Sequence, residues 1–241
     1  MKDTFRIPLL TAAFAVLSKG LGCSTDTTES VMPNIILILA DDLGFGDIAC
    51  YNDAAKIPTP NIDALASGGV CFYDMHTSSA VCTPSRYGLL TGRNAWRGDL
   101  PHGVYYGYEP PLIESGRLTL AGLLRDAGYQ TGCFGKWHLG LEYHAKPGME
   151  VEFAAPYPWP SIDLDLEQKI DLTRPVTGGP LACGFDRFFG TSGASTAQPP
   201  YAFIDGEEFT ETPTEFREKM HFTGRPGMTA PGWDHKNVDP E

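Results

Sequence analysis

The sequence predicts an α/β fold with a mainly parallel central sheet and helices on both faces. Three observations carry that expectation. Residues 34–40, NIILILA, are apolar without alternation, the pattern of a strand covered on both sides. Residues 117–134, RLTLAGLLRDAGYQTGCF, read as a helix followed at once by a strand. Thr-Pro steps at 59–60 and 83–84 mark further helix starts, and strands alternating with helices favour parallel pairing.

The chain has 241 residues, 42% of them hydrophobic, enough for one large domain or two small ones. Its formal net charge of −12 argues against a general nucleic-acid binder, because no surplus of Lys and Arg is available to neutralise phosphates. A small anionic substrate stays open, since a local pocket reads it. Residues 1–23 read as an export signal, with Lys2 and Arg6 before a short apolar run at 7–17. That run is short for a membrane span. Its ending, GLGC, partly resembles a bacterial lipobox, in which Cys23 would become a lipidated first residue, although Gly20 stands where leucine is usual. The expectation is an exported protein, periplasmic, surface-bound or extracellular, with membrane attachment through a lipidated Cys23. Residues 24–32 form a polar linker, and residues 33–241 the globular part.

The first apolar run ends in Asp41 and Asp42. Thr59 as cap and Pro60 at the first helical position start a short helix that closes at Gly68 and Gly69. VCFYDMHT, residues 70–77, is a second strand candidate. Thr83 and Pro84 repeat the helix-start pattern. In the third helix Leu120, Leu123, Leu124 and Ala127 share a face, Gly128 closes it, and residues 129–134 are extended. From about residue 147 the chain turns Pro-rich and acidic, then aromatic and loop-heavy, the texture of long connections over the carboxyl end of a sheet. None of the six cysteines forms a C-x-x-C pair, which speaks against structural zinc. Cys50, Cys71 and Cys133 are expected to be buried as small hydrophobes.

Three groups carry chemistry. Asp41 and Asp42 stand at the carboxyl end of the expected first strand, where open α/β sheets bind ligands. Adjacent carboxylates repel unless a cation lies between them, and oxygen donors favour Ca²⁺ or Mg²⁺; a solvated turn is the other use of this dipeptide. Cys82 precedes Thr83-Pro84 at a helix start, where free N–H groups favour an anion and depress a thiol pKa, with Arg86 one turn along. A buried cysteine is the alternative. Lys136 and His138 follow the strand of the 129–134 region, one supplying positive charge and the other a proton-transfer group. A surface lysine and a packed histidine are the alternative there.

In combination these residues resemble the sulfatase family. C82-T-P-S-R86 followed by YGLLTGR is similar to its first signature, and GYQTGCFGKWH, residues 128–138, to its second, with Phe134 where a smaller aliphatic residue is usual. PNIILILADDLGFGD, TPNIDALASGGVCF and GFDRFFG are similar as well, so the resemblance runs from about residue 33 to the end. It implies an alkaline-phosphatase-like fold and a formylglycine made from Cys82 by a maturating enzyme. It implies Asp41, Asp42 and the residue derived from Cys82 as ligands of a divalent cation, Ca²⁺ before Mg²⁺. Arg86 and Lys136 would face the sulfuryl group, and His138 would assist proton transfer. The implied activity is hydrolysis of sulfate esters on an aryl or sugar alcohol, the substrate a sulfated small molecule or glycan.

The family pattern also includes a later histidine, an Asp-Asn metal pair and a second lysine, and KNVDPE ends the chain before these are placed. His221 and His235 do not stand in the familiar context. The expectation is therefore the amino-terminal, incomplete part of a catalytic domain, weakly active or inactive alone. Two other readings stand beside it: a phosphate or phosphonate ester hydrolase of the same superfamily, and an inactive exported product of a truncated gene. The aromatic, acidic stretch 157–209, with Trp159 and Tyr201, would suit a sugar or simply pack.

Overall fold

In the computed structural model, residues 32–151, 164–195, 198–217 and 232–234 are described. The signal, Cys23, Trp159, His221 and His235 lie outside them. The chain divides into two units, Met1–Leu39 and Ala40–Glu241. In the first, the expected strand is not formed: residues 32–39 carry no ladder, and Ile36 and Ile38 are 84% and 83% exposed. Apolar character supplies strand propensity, but a ladder needs a hydrogen-bond partner.

In the second unit a single 3-10 turn, Phe45–Asp47, precedes α1, Pro60–Gly68, with Thr59 at its N-cap and Pro60 at its first position. The second strand candidate, residues 70–77, also lacks a ladder and leaves Val70, Phe72, Tyr73 and Met75 exposed. Helix α2 is Cys82–Thr91, capped by Val81, so it starts two residues earlier than the Thr-Pro step predicts. The Thr83 hydroxyl does not cap; it is buried and accepts the Tyr105 N–H at 3.1 Å. A tertiary bond has taken the side chain that local pattern assigned to the helix end.

Helix α3, Leu120–Asp126, is capped by Thr119, whose Oγ1 accepts the Gly122 N–H at 2.9 Å and donates to the Cys183 carbonyl at 2.5 Å. Gly128 closes it at φ 94°. Ala121 is its buried residue and Leu123 is exposed, so the leucine face is only half covered. The strand β1, Gly132–Lys136, follows as expected. A short α4, Leu164–Lys169, precedes β2, Arg187–Thr191. Strands β3, Ile204–Asp205, and β4, Glu208–Phe209, form a hairpin turned by Gly206 at φ 66°. The sheet order is β1-β2-β3-β4, with β1 parallel to β2 and the other two pairs antiparallel. Strands β5, Glu215–Arg217, and β6, Gly232–Asp234, pair separately. The loop-heavy half therefore contributes five short strands, β2 to β6, and the four-stranded sheet is mixed.

Tyr87, Leu100, Trp137, Leu139, Phe188 and Ile204 anchor one core that joins α2 to β1 and β2. Cys50, Cys71 and Cys133 are half-buried, not buried as expected; only Cys183 is fully buried among the described cysteines. Gly190 is required where β2 passes β1, because a Cβ there would lie 1.8 Å from the Gly135 carbonyl oxygen. The β1–β2 pairing is what sets Lys136 in register with Thr191.

Thr119→Ala removes the cap of α3 and leaves the buried Cys183 carbonyl unpaired. A loss of about 2 kcal/mol of unfolding free energy is expected, read from urea denaturation. A loss within error of zero would show that the cap carries no weight.

Candidate functional site

Strand β1 ends at Lys136, and the β1–β2 hydrogen bonding continues for two residues beyond it. Trp137 N–H donates to Thr191 O at 2.9 Å and His138 N–H to Ser192 O at 2.7 Å. His138 then adopts φ 61°, so the simple i, i+2 alternation with Lys136 ends there. Its ring is 1% exposed. Nε2 lies 2.8 Å from the Tyr105 carbonyl, which only accepts, so Nε2 carries the proton. Nδ1 is then a buried acceptor with no hydrogen bond among the described residues. Burial first, and then the Lys136 charge, pushes the ring down to about 4 from 6.5.

Asp41 collects the cations. Its Oδ2 accepts from Arg86 Nη2 at 2.8 Å, from Arg86 Nε at 3.3 Å and from Lys136 Nζ at 3.1 Å. Arg86 Nη1 also donates to the Lys136 carbonyl. The three side chains are 20%, 14% and 21% exposed. Burial raises the Asp41 pKa, but bonds from Arg86 and Lys136 outweigh it and hold the carboxyl below its ordinary value. Cys82 is the first residue of α2, and Arg86 follows four positions later on the same face. Cys82 is half-buried. Asp42 is exposed.

The structure thus brings Asp41, Arg86 and Lys136 into direct contact and sets His138 in their field. Asp41 and Asp42 present hard oxygen donors of the kind Ca²⁺ or Mg²⁺ takes. No group of three or more His, Cys, Asp or Glu residues that could hold a metal ion lies among the described residues.

Three residues that sequence reasoning missed support this arrangement. The Tyr105 peptide bridges Thr83 and His138 through its N–H and its carbonyl. Glu109 is buried and accepts Tyr106 N–H at 2.5 Å and Gly107 N–H at 2.7 Å, holding that loop; burial raises its pKa against those two bonds. Glu114 accepts from Tyr87 of α2 at 3.0 Å, from Arg93 at 3.0 Å and from Arg117, which first among its neighbours lowers it to about 2. Tyr105 and Glu114 act through long-range contacts that no local pattern announces, whereas Glu109 closes a local turn.

Residues 33–211 match the family described as Sulfatase. The chain belongs to the sulfatase family. It is 44% identical over 146 residues to an N-acetylgalactosamine-6-O-sulfatase of Bacteroides thetaiotaomicron, covering 58% of this chain and 28% of that one. It is 44% identical over 129 residues to human arylsulfatase A, covering 52% and 23%. Mouse arylsulfatase G aligns over 229 residues at 32% identity, covering 88% and 42%. A solved structure from work on glycosaminoglycan metabolism by Bacteroides thetaiotaomicron superposes with a TM-score of 0.59 at 36% identity, covering 74% of this chain and 32% of that one. The α/β class therefore stands, as part of the sulfatase fold, and this sulfatase-family chain spans under half the length of each of these relatives. No helix among the described residues is long and apolar enough to cross a membrane.

Because the unfolded chain binds a proton on His138 near pH 6.5 and the folded one only near 4, stability falls as pH drops through that window and is level outside it. A loss of about 2 kcal/mol between pH 6.5 and 5 is expected for the wild type, and His138→Gln should flatten it. Urea midpoints at the two pH values read the difference; parallel profiles would contradict the buried neutral ring.

Proposed function

We propose that this chain is the amino-terminal part of a sulfuric ester hydrolase acting on aryl or carbohydrate sulfates. The observation that carries the reading is the Asp41 contact. One carboxylate meets two cations there, so positive charge is left over beside the start of α2, in a chain whose net charge is −12. A helix start with Arg86 one turn along it and Lys136 beside it favours a bound sulfuryl oxygen.

A formylglycine made from Cys82 would supply a hydrated aldehyde, an oxygen nucleophile toward sulfur. The rest is this chain's own work. Arg86 sits one turn from Cys82 and offsets the negative charge that builds on the transferred group. Lys136 adds a second positive charge from the end of β1. His138, neutral at physiological pH, keeps its Nε2 proton on Tyr105 and offers Nδ1 to accept a proton. Asp41 orients both cations. Asp41 and Asp42 would also hold a divalent cation, Ca²⁺ before Mg²⁺, which supplies further positive charge to the sulfuryl group. Export, with or without a lipid on Cys23, would bring the enzyme to extracellular sulfated glycans or small sulfate esters, and a formylglycine-generating enzyme would mature it. N-acetylgalactosamine-6-sulfate is acted on, by name, by one relative; a sulfated sugar is accordingly the first substrate class to test here.

Coexpression with a formylglycine-generating enzyme is expected to convert the Cys82 thiol to an aldehyde, read as a mass loss on the Cys82 peptide. An unmodified thiol in a competent host would undercut the mechanism. The matured chain by itself is expected to hydrolyse an aryl sulfate weakly or not at all, with a preference over the matched aryl phosphate. Cys82→Ala should lower any turnover by at least about 10³-fold. Normal turnover would refute the incomplete-site reading, and preference for phosphate would move the chain to the phosphate-ester class.

Two carboxylates bind Ca²⁺ weakly, with Kd on the order of 10⁻³ M expected. Millimolar Ca²⁺ should raise the unfolding midpoint of the wild type, chelation should reverse it, and Asp42→Asn should abolish the shift. An equal shift in the variant would place the cation elsewhere.

A further inference from the structure

Glu109 is a buried carboxylate, and burying a charge to close a turn is costly where a neutral acceptor would serve. Its two oxygens meet two successive amides. Oε1 accepts Tyr106 N–H at 2.5 Å, and Oε2 accepts Gly107 N–H at 2.7 Å. The Tyr106 N–H belongs to the same peptide unit as the Tyr105 carbonyl, which accepts from His138 Nε2 at 2.8 Å. In a planar trans peptide the C=O and N–H point in opposite directions. Holding the N–H on Glu109 therefore aims the carbonyl away from Glu109, at the imidazole. The carboxylate charge also polarises the peptide and makes its oxygen a better acceptor. The frame around this peptide is closed. The Glu109 carbonyl accepts Leu141 N–H at 3.1 Å, and Leu112 N–H donates to Leu139 O at 2.9 Å. The Gly107 carbonyl accepts the Tyr143 hydroxyl at 3.1 Å. Gly140 lies so close to the next residue's turn that a Cβ there would stand 2.1 Å from the Pro110 carbonyl oxygen. Glu109 is thus carried by the same segment whose histidine it faces through the peptide.

We propose that Glu109 is a positioning residue for His138: through the 105–106 peptide it selects the tautomer with the proton on Nε2 and leaves Nδ1 as the acceptor. The tautomer of a neutral imidazole follows the hydrogen bond that one of its nitrogens makes. Facing a carbonyl, Nε2 must carry the proton; facing an N–H, it must accept, and the proton moves to Nδ1. The Tyr105 N–H is fixed on Thr83 Oγ1, so the peptide that follows it is the unit left to orient. Without Glu109 that unit is free to turn and to present its N–H to the ring. A ring protonated at Nδ1 has lost the open acceptor that faces no hydrogen bond among the described residues. The proton-accepting use of Nδ1 rests on the ester-hydrolase reading; the choice of tautomer does not.

Nitrogen NMR of the full 241-residue chain, isotope-labelled at histidine and recorded near neutral pH, reads the tautomer directly. The His138→Gln variant identifies the His138 signals among the six histidines. The wild type is expected to show one form, with a protonated Nε2 and a bare Nδ1. In Glu109→Ala the two ring-nitrogen shifts should move toward each other, as they do when both tautomers are populated. Glu109→Gln has the same shape but keeps only one acceptor, so its shifts should fall between; it also carries the test where the alanine variant does not fold. Thr119→Ala weakens α3 and should leave the His138 shifts in place. Unmoved shifts in either folded Glu109 variant would overturn the proposal, as would a mixture or an Nδ1–H form in the wild type. Equal movement in Thr119→Ala would mark general loosening and overturn it too. The readout needs no turnover, so loss of the ester-hydrolase reading would show in the sulfate assay and leave the tautomer result standing.

Discussion

Asp41 accepts hydrogen bonds from Arg86 on α2 and Lys136 at the end of β1, and so joins three stretches of chain that are far apart in sequence. The cost of partly burying three charges is met because each has an opposite neighbour. The sum is not neutral: two cations share one carboxylate. Positive charge therefore remains at the start of α2, where unpaired N–H groups already favour an anion. An acidic chain thus carries a local cluster of two cations on one carboxylate, which net charge alone would not reveal.

That contact needs a rigid floor, and the β1–β2 pair supplies it. The parallel register sets Lys136 against Thr191, and the bonds beyond it carry the chain to His138. Gly190 lets the two strands meet at Gly135 without a clash. One peptide then connects the floor to α2. Tyr105 accepts the His138 Nε2–H hydrogen bond on its carbonyl and donates its own N–H to Thr83 Oγ1, next to Cys82. The same bond that orients His138 decides its tautomer and leaves Nδ1 as the open acceptor. Glu109 and Glu114 sit behind this layer, one holding the Tyr105 loop and the other holding Tyr87 of α2.

Local signals were legible where the physics was local. Pro60 at the head of α1, Thr119 capping α3, Gly128 ending it and β1 after it all follow from capping, backbone freedom and periodicity. The β3–β4 turn has a local signal as well, the Asp-Gly step of residues 205–206, but it lies in an aromatic stretch whose composition is that of a loop. Residues 34–40 and 70–77 show the limit. Their apolar runs have strand character, yet strands exist only where another strand pairs with them.

By itself the sequence determined the chemical alphabet of the site. Cys82 and Arg86 stand one helical turn apart, Lys136 and His138 follow a strand, and paired aspartates follow an apolar run. The strings that hold them resemble the two sulfatase signatures, and a signature is local, so the resemblance is visible without the fold. Tertiary structure decided what each group touches. Thr83 left the helix end to bind Tyr105, His138 became a buried neutral ring, and Asp41 became the meeting point of Arg86 and Lys136. Such partners are set by which distant segments pack together, and desolvation follows from that packing. Neither is written in the spacing of neighbouring residues.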